Sequence, residues 1–212
     1  MRSLSIKKQF IYTCLLIIST TIPQVFAQSG ANPVRVTPMP VKVKTENFPK
    51  QIQLEGAKLA LNGLGTRYKA IFKVYDMGLY TSTKVGTMQE AINAPGPKKL
   101  QLMAHREIST NELGRLFYQG LRDNNSAELN LKHTVSSARL SELASVRSKI
   151  LPGETFSIEY VPGKGMTWFV MDKAQGPAFG DAEFFAMVLR IWLGPVPADF
   201  MLKDALLAIP RS

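Results

Sequence analysis

The order of strand-like and helix-like segments most strongly constrains the fold of this 212-residue chain. After residue 48, strand patterns come first, helical patterns follow, a hairpin comes next, and the C-terminal part is helical. Strands and helices are therefore segregated, which argues against a regular alternation of parallel βαβ units. The sequence predicts an α+β fold in which helices cover one side of an antiparallel sheet.

Alternating apolar residues and turn signals locate the strands. They are predicted at residues 51–55, 58–61, 66–80 and 99–105, and in a hairpin that turns at 162–165. The segment Asn62-Gly63-Leu64-Gly65 is interpreted as a tight turn, because it lacks the lysine and the following helix of a phosphate-binding loop.

Helical spacing of apolar residues and capping residues locate the helices. Helices are predicted at residues 87–92, after a cap at Ser109 or Thr110, at 136–148, after a cap at Asp181, and at 198–208. The longest apolar stripe of the C-terminal part contains Phe184, Met187, Val188 and Ile191. Such a stripe is typical of a helix that packs on a core, and part of it can also line a cleft.

The N-terminus has the layout of a secretory signal peptide. Three basic residues precede an apolar stretch at residues 10–22, which is short for a membrane span, and small side chains predict cleavage after Ala27. The sequence therefore predicts a signal peptide at 1–27 and a periplasmic or secreted protein, with an uncleaved anchor as the alternative. Cys14 is the only cysteine and lies within this peptide, so no disulfide or thiol chemistry is expected after cleavage.

Residues 28–48 are rich in proline and polar side chains. Proline favours extended backbone and removes a hydrogen-bond donor, so this segment is predicted to be a linker or an edge segment outside the core. The folded domain is then expected at 49–212. The proline-rich segment is also the one hint of a third function, a structural or interaction module of the cell envelope.

Charge and chemistry exclude several function classes. The net charge of +10 falls to +7 without residues 1–27, which contain three basic residues and no acidic residue. Such a protein can contact anionic ligands or membrane surfaces, while nucleic acid is not expected in that compartment. His105 and His133 do not have the spacing of metal ligands, so no metal site is predicted. No serine lies in a nucleophile-elbow motif. The sequence therefore predicts no cofactor and supports neither a hydrolase nor a redox enzyme.

Two segments resemble motifs of chalcone isomerase-like proteins, and together the resemblance extends over about residues 50–208. LNGLGTRYKAIFKVYDMGLY (61–80) is similar to the early glycine–arginine–strand motif, and IWLGPVPADFMLKDALL (191–207) is similar to the C-terminal motif. The similarity is to the bacterial secreted branch of the family. It implies an open-faced β-sandwich, a large antiparallel sheet backed by helices, with a ligand cleft between the two layers.

The resemblance also implies a ligand site at Arg67 and Tyr75. Arg67 matches the arginine that stabilises an oxyanion in the plant isomerases, and Tyr75 stands where those enzymes have a threonine. An arginine with a tyrosine there resembles the fatty-acid-binding members, in which the pair holds a carboxylate in an apolar tunnel. A guanidinium can fork onto a carboxylate or an oxyanion. We therefore expect binding of a fatty acid or similar amphiphilic anion without catalysis, with peripheral membrane contact as an open alternative.

The alternative is an isomerase of the chalcone-to-flavanone type that uses Arg67 as electrostatic catalyst. The remaining enzyme positions fall near Leu113, Gly120 and Ile191, which offer no side-chain hydrogen bond. On one straight strand, Arg67 and Tyr75 would lie roughly 26 Å apart. They can share a ligand only if the chain forms a tight hairpin around residues 69–72, where no glycine or proline marks a turn.

Overall fold

The structure, a computed structural model, describes residues 47–209. The predicted signal peptide, its cleavage site, and all but the last two residues of the 28–48 segment lie outside the described residues. Phe48, the last residue of that segment, is buried, although the segment was predicted to lie outside the core. Within the described residues, no helix has the length and apolar character needed to cross a membrane.

Within residues 47–209, nine strands form two antiparallel sheets. In chain order they are β1 (Gln51–Leu54), β2 (Ala57–Lys69), β3 (Phe72–Thr81), β4 (Lys98–Ala104), β5 (Ile108–Ser109), β6 (Lys149–Ile150), β7 (Thr155–Val161), β8 (Gly165–Val170) and β9 (Lys173–Ala174). The large sheet has the order β1-β2-β3-β4-β7-β8-β9, and β5 pairs with β6. Every pairing is antiparallel, as the segregated strand and helix patterns predicted.

The part of the chain that the structure describes also contains six helices: α1 (Met88–Asn93), α2 (Thr110–Asn124), α3 (Ala127–Lys132), α4 (Thr134–Ala144), α5 (Ala182–Leu193) and α6 (Phe200–Leu206). Ser109 caps α2 and Asp181 caps α5, each by accepting a backbone N–H in the first turn. The predicted α+β class is confirmed. Helix α3 was not predicted, and the helix expected at 136–148 begins and ends earlier as α4.

The core lies between one face of the sheet and helices α2, α4, α5 and α6. Tyr75, Met77 and Leu79 alternate along β3 and point into it, and they are at most 2% exposed. Phe117 of α2 packs edge-on against Trp168 of β8 and Trp192 of α5, with ring centroids 5.7 Å and 5.8 Å away. Trp192 also donates its Nε1–H to the Tyr75 hydroxyl at 2.8 Å, which joins α5 to β3.

The predicted turn at residues 62–65 is wrong, because β2 runs through it. The register shifts between Leu61 and Gly63, which marks a β-bulge, and pairing with β3 then continues. The glycines are explained by α6, which packs over this stretch: a methyl group on Gly63 would collide with the carbonyl oxygens of Ala205 and Leu206. A methyl group on Gly65 would lie 2.6 Å from the Cβ of Ala205. Close helix–strand approach, rather than a turn, requires glycine here.

The single strand predicted at 66–80 is also wrong, because the chain reverses at Ala70 and Ile71. Lys69 pairs with Phe72, so the turn contains only two residues. Ala70 adopts a φ of 54°, a conformation for which glycine, asparagine or aspartate is normally selected. The turn therefore lacks the sequence signal that would have revealed it.

Candidate functional site

A β-bulge in the β2–β3 hairpin places Tyr75 opposite Arg67. Tyr68 pairs with Lys73, whereas Arg67 pairs with Tyr75, so Val74 is the extra residue. Without this bulge, Val74 would stand opposite Arg67 and Tyr75 would point to the other face of the sheet, because side chains alternate along a strand. The reversal removes the separation expected for a straight strand and brings both predicted site residues together.

Arg67 and Tyr75 line a cavity of about 210 Å³ between the hairpin and the helices. Helix α2 contributes Leu113, Leu116 and Phe117, and α5 contributes Ile191 and Trp192. Residues 196–198, which connect α5 to α6, complete the wall, and Gln119, Gly120 and Asp123 lie on the α2 side. Most of this wall is apolar, so its polar groups are concentrated at the hairpin and along one edge of α2.

The Arg67 side chain is half-buried, and the described part of the protein does not use all of its hydrogen-bond donors. Its Nε is buried and has no hydrogen-bond partner among residues 47–209. Its Cζ lies 5.6 Å from the centroid of the Tyr75 ring, a cation–π distance. A buried donor without a partner costs about 1–3 kcal/mol, so a ligand oxygen that accepted this N–H would remove a penalty already present in the fold.

The Tyr75 hydroxyl is prepared to donate a hydrogen bond. It accepts the Nε1–H of Trp192 at 2.8 Å, deep in the core. Burial raises the pKa of Tyr75, although Arg67 and the bond from Trp192 oppose that rise, so the hydroxyl stays protonated at neutral pH. Since the Trp192 bond occupies an acceptor position, the phenolic proton is available for an anionic ligand.

The two sides of the site are joined by residues that sequence reasoning missed. Asp199 caps α6 by accepting the N–H of Leu202 at 3.0 Å, and its other oxygen accepts the N–H of Tyr68 at 3.0 Å, next to Arg67. Asn124 exchanges two hydrogen bonds with the backbone of Val196, at 2.8 and 2.9 Å. These partners are far apart in the chain, so only the folded structure shows that they frame the cavity.

The three positions that the family resemblance matched to polar groups of the plant enzymes all reach this cavity. Leu113, Gly120 and Ile191 are among its lining residues. Gly120 allows α2 to approach α5, because a Cβ there would lie 2.9 Å from Ile191 Cγ2. The location inferred from the resemblance is therefore part of the cavity wall, and in this chain none of the three positions carries a polar side chain.

A second cavity of about 150 Å³ adjoins the first. The two share Arg67, Tyr75, Leu113 and Leu116, and the second is also lined by Val74 and Ile108. Its remaining lining residues are charged: Lys69, Arg106, Glu107 and Glu112. Leu116 is half-buried and stands between the two spaces.

The two histidines lie in other clusters. His105 Nε2 is 2.9 Å from Asp76 Oδ2, on the sheet face opposite the cavity. His133 lies near Asp181 and Glu183, with potential metal-binding atoms within 4.8 Å of one another. The Lys132 ammonium, however, is 2.5 Å from the same Glu183 oxygen that contacts His133, and Asp181 already caps α5. This positive charge opposes a divalent cation, and the contacts account for the cluster as an ion-pair network.

Comparisons with known proteins agree with this architecture. A search of curated proteins finds no match. A solved fatty-acid binding protein from Arabidopsis thaliana superposes with a TM-score of 0.60 at 15% identity, over 76% of this chain and 90% of that chain, which shows a shared fold. The family model for chalcone isomerase-like proteins matches residues 40–208. This chain belongs to the chalcone isomerase-like family.

Proposed function

We propose that this protein binds a fatty acid or a similar small amphiphilic anion, with its acid group at Arg67 and Tyr75. The observation that carries the proposal is a mostly apolar cavity lined by Arg67, whose buried Nε has no partner among the described residues. A carboxylate beside it would accept charge-assisted hydrogen bonds from the guanidinium and one from the Tyr75 hydroxyl. The Arabidopsis protein that shares this fold is a fatty-acid binding protein, which agrees with this ligand class.

The ligand tail has two apolar spaces available. The cavities of about 210 and 150 Å³ are each smaller than typical ligand sites, which start near 300 Å³. A tail that displaced the Leu116 side chain would occupy both. We infer that the acid group sits at their shared wall and that the hydrocarbon extends along α2.

We further propose that the protein acts outside the cytoplasm after cleavage at Ala27, which would leave residues 28–212. The basic N-terminus and apolar stretch of the sequence support this proposal. The isomerase alternative receives less support, because Leu113, Gly120 and Ile191 bring no polar side chain to a cavity that they line. An enzyme of that type needs preorganised donors where charge develops.

Leu116→Trp tests the proposed tail site. The indole would fill the junction of the two cavities, and we expect laurate to bind at least about tenfold more weakly, measured by isothermal titration calorimetry, because the displaced tail loses roughly 25 cal/mol for every Å² of apolar burial. Tyr118→Trp is the matched control, since Tyr118 lies on the same helix and is 60% exposed.

The folded state of both variants is checked by thermal unfolding. A folded Leu116→Trp protein that binds laurate as tightly as the parent would refute this position for the tail. Turnover of a chalcone by the parent, with no affinity for laurate, would instead favour the isomerase.

A further inference from the structure

The tip of the β2–β3 hairpin exposes two large apolar side chains. Ile71 is 83% exposed and Phe72 is 63% exposed. A two-residue turn favours glycine, asparagine and aspartate, and exposed isoleucine and phenylalanine contribute nothing to its geometry. Their presence at the most protruding part of the hairpin therefore has no explanation in folding.

The beginning of α6 adds further exposed apolar side chains next to this tip. Asp199 accepts the N–H of Tyr68 on β2, which fixes the start of α6 beside the hairpin. Phe200 is 65% exposed and Met201 37%, and Val196, which also lines the first cavity, is 56% exposed. We call these five residues the apolar rim: Ile71, Phe72, Val196, Phe200 and Met201. The rim adjoins the Arg67 cavity.

The charges beside the rim are mainly basic. Lys69 and Lys73 flank the turn, and Arg106 is exposed at the second cavity. Three acidic residues lie at the same end: Glu112 is 3.4 Å from Lys69, Glu107 is 3.0 Å from Lys149, and Asp199 accepts the backbone N–H groups of Tyr68 and Leu202. Because both side chains of the Lys69–Glu112 pair are more than 40% exposed, the pair is weak and Lys69 can readily exchange Glu112 for an external anion.

We propose that the apolar rim docks onto the surface of an anionic lipid bilayer. Apolar side chains flanked by lysines are the composition that inserts into the headgroup region, where the hydrocarbon is buried and the ammonium groups contact anionic lipid. Docking at this end brings the Arg67 cavity to the bilayer surface. The purpose of docking, exchange of an amphiphile between bilayer and cavity, rests on the proposed function, but docking itself needs no bound ligand.

The test is co-sedimentation of the protein, isolated from its own cells, with vesicles of phosphatidylcholine containing about one-third phosphatidylglycerol. The parent is expected to bind these vesicles and to bind phosphatidylcholine vesicles less. Ile71→Ser/Phe72→Ser should bind at least about tenfold more weakly, because two inserted apolar side chains are lost. Lys69→Gln/Lys73→Gln should lose about fivefold per lysine on the anionic vesicles.

Leu131→Ser/Val135→Ser is the matched control, because Leu131 and Val135 are 78% and 83% exposed but lie on α3 and α4. All proteins share the same N-terminus, so residues 1–46 contribute equally to each. The proposal is overturned if the parent binds neither kind of vesicle, or if the tip variant and the control variant bind the vesicles equally well. It is also overturned if the rim instead forms a dimer, which sedimentation would detect in the absence of vesicle binding. Arg67→Ala should still bind vesicles. Failure of the ligand proposal and failure of the docking proposal can therefore be distinguished.

Discussion

Gly63→Ala is expected to lower the free energy of unfolding by about 3 kcal/mol and to lower Tm by roughly 6 to 12 °C. This loss is at the upper end of the range that is usual when an extra methyl group is forced into a packed interior. Glycine in a strand interior is normally unfavourable, so the same substitution at an unconstrained strand position would raise stability. Here the added methyl group meets two backbone carbonyls of α6, which cannot move as a side chain can. One of them, the Leu206 oxygen, also accepts a hydrogen bond from Asn62 Nδ2 at 2.8 Å.

Chemical denaturation of the parent and the variant measures this effect. Gly86→Ala is the control, because a Cβ there meets only Glu90 Oε2, at 3.8 Å, and the backbone conformation is ordinary. That control should change stability by less than about 0.5 kcal/mol. A loss below about 1 kcal/mol for Gly63→Ala would contradict the close packing of α6 on β2.

Arg67→Ala is expected to weaken laurate binding by roughly 30-fold or more while leaving the free energy of unfolding within about 1 kcal/mol of the parent. The loss of a charge-assisted, bidentate contact accounts for the weaker binding, because such a contact contributes about 1.5–3 kcal/mol or more to the binding free energy. The small effect on folding has a separate cause, since the buried Nε of Arg67 has no partner among the described residues and its removal relieves that unfavourable burial. A side chain that adds affinity without adding stability is typical of a binding site.

Arg115→Ala serves as the control for the loss of one positive charge, because Arg115 is exposed on α2 and lines neither cavity. Dodecanol tests the role of the acid group, since it keeps the tail length of laurate and lacks the carboxylate. We expect Arg67→Ala to lower affinity for laurate far more than for dodecanol. Equal losses for both ligands would mean that Arg67 supports the cavity wall and does not recognise an anion.

The fold class was predictable because it depends on the order of local patterns. Period-2 and helical spacing, with caps at Ser109 and Asp181, correctly predicted a sheet covered by helices. The hairpin within residues 66–80 was not predictable from local signals, because Ala70 occupies the positive-φ position without a turn residue. The glycines at 63 and 65 were misinterpreted for a different reason: their requirement comes from α6, more than 130 residues away in the chain.

The candidate site was predictable only through the family resemblance. That resemblance selected Arg67 and Tyr75, and the structure brings them together by a two-residue turn and a bulge at Val74, neither of which the sequence marks. The hydrogen bond that Trp192 donates to Tyr75 and the two hydrogen bonds between Asn124 and Val196 join distant segments, so they could not be inferred in advance. Export and the identity of the ligand stay predictions.

The most direct test of ligand binding is mass spectrometry of small molecules extracted from the protein purified from its own cells, beside the Arg67→Ala variant purified in the same way. We predict that fatty acids or similar amphiphilic anions co-purify with the parent and are absent from the folded variant. A parent that carries no amphiphile, or a variant that carries the same amphiphile in the same amount, would contradict the assignment of Arg67 as the anion-binding residue of the cavity.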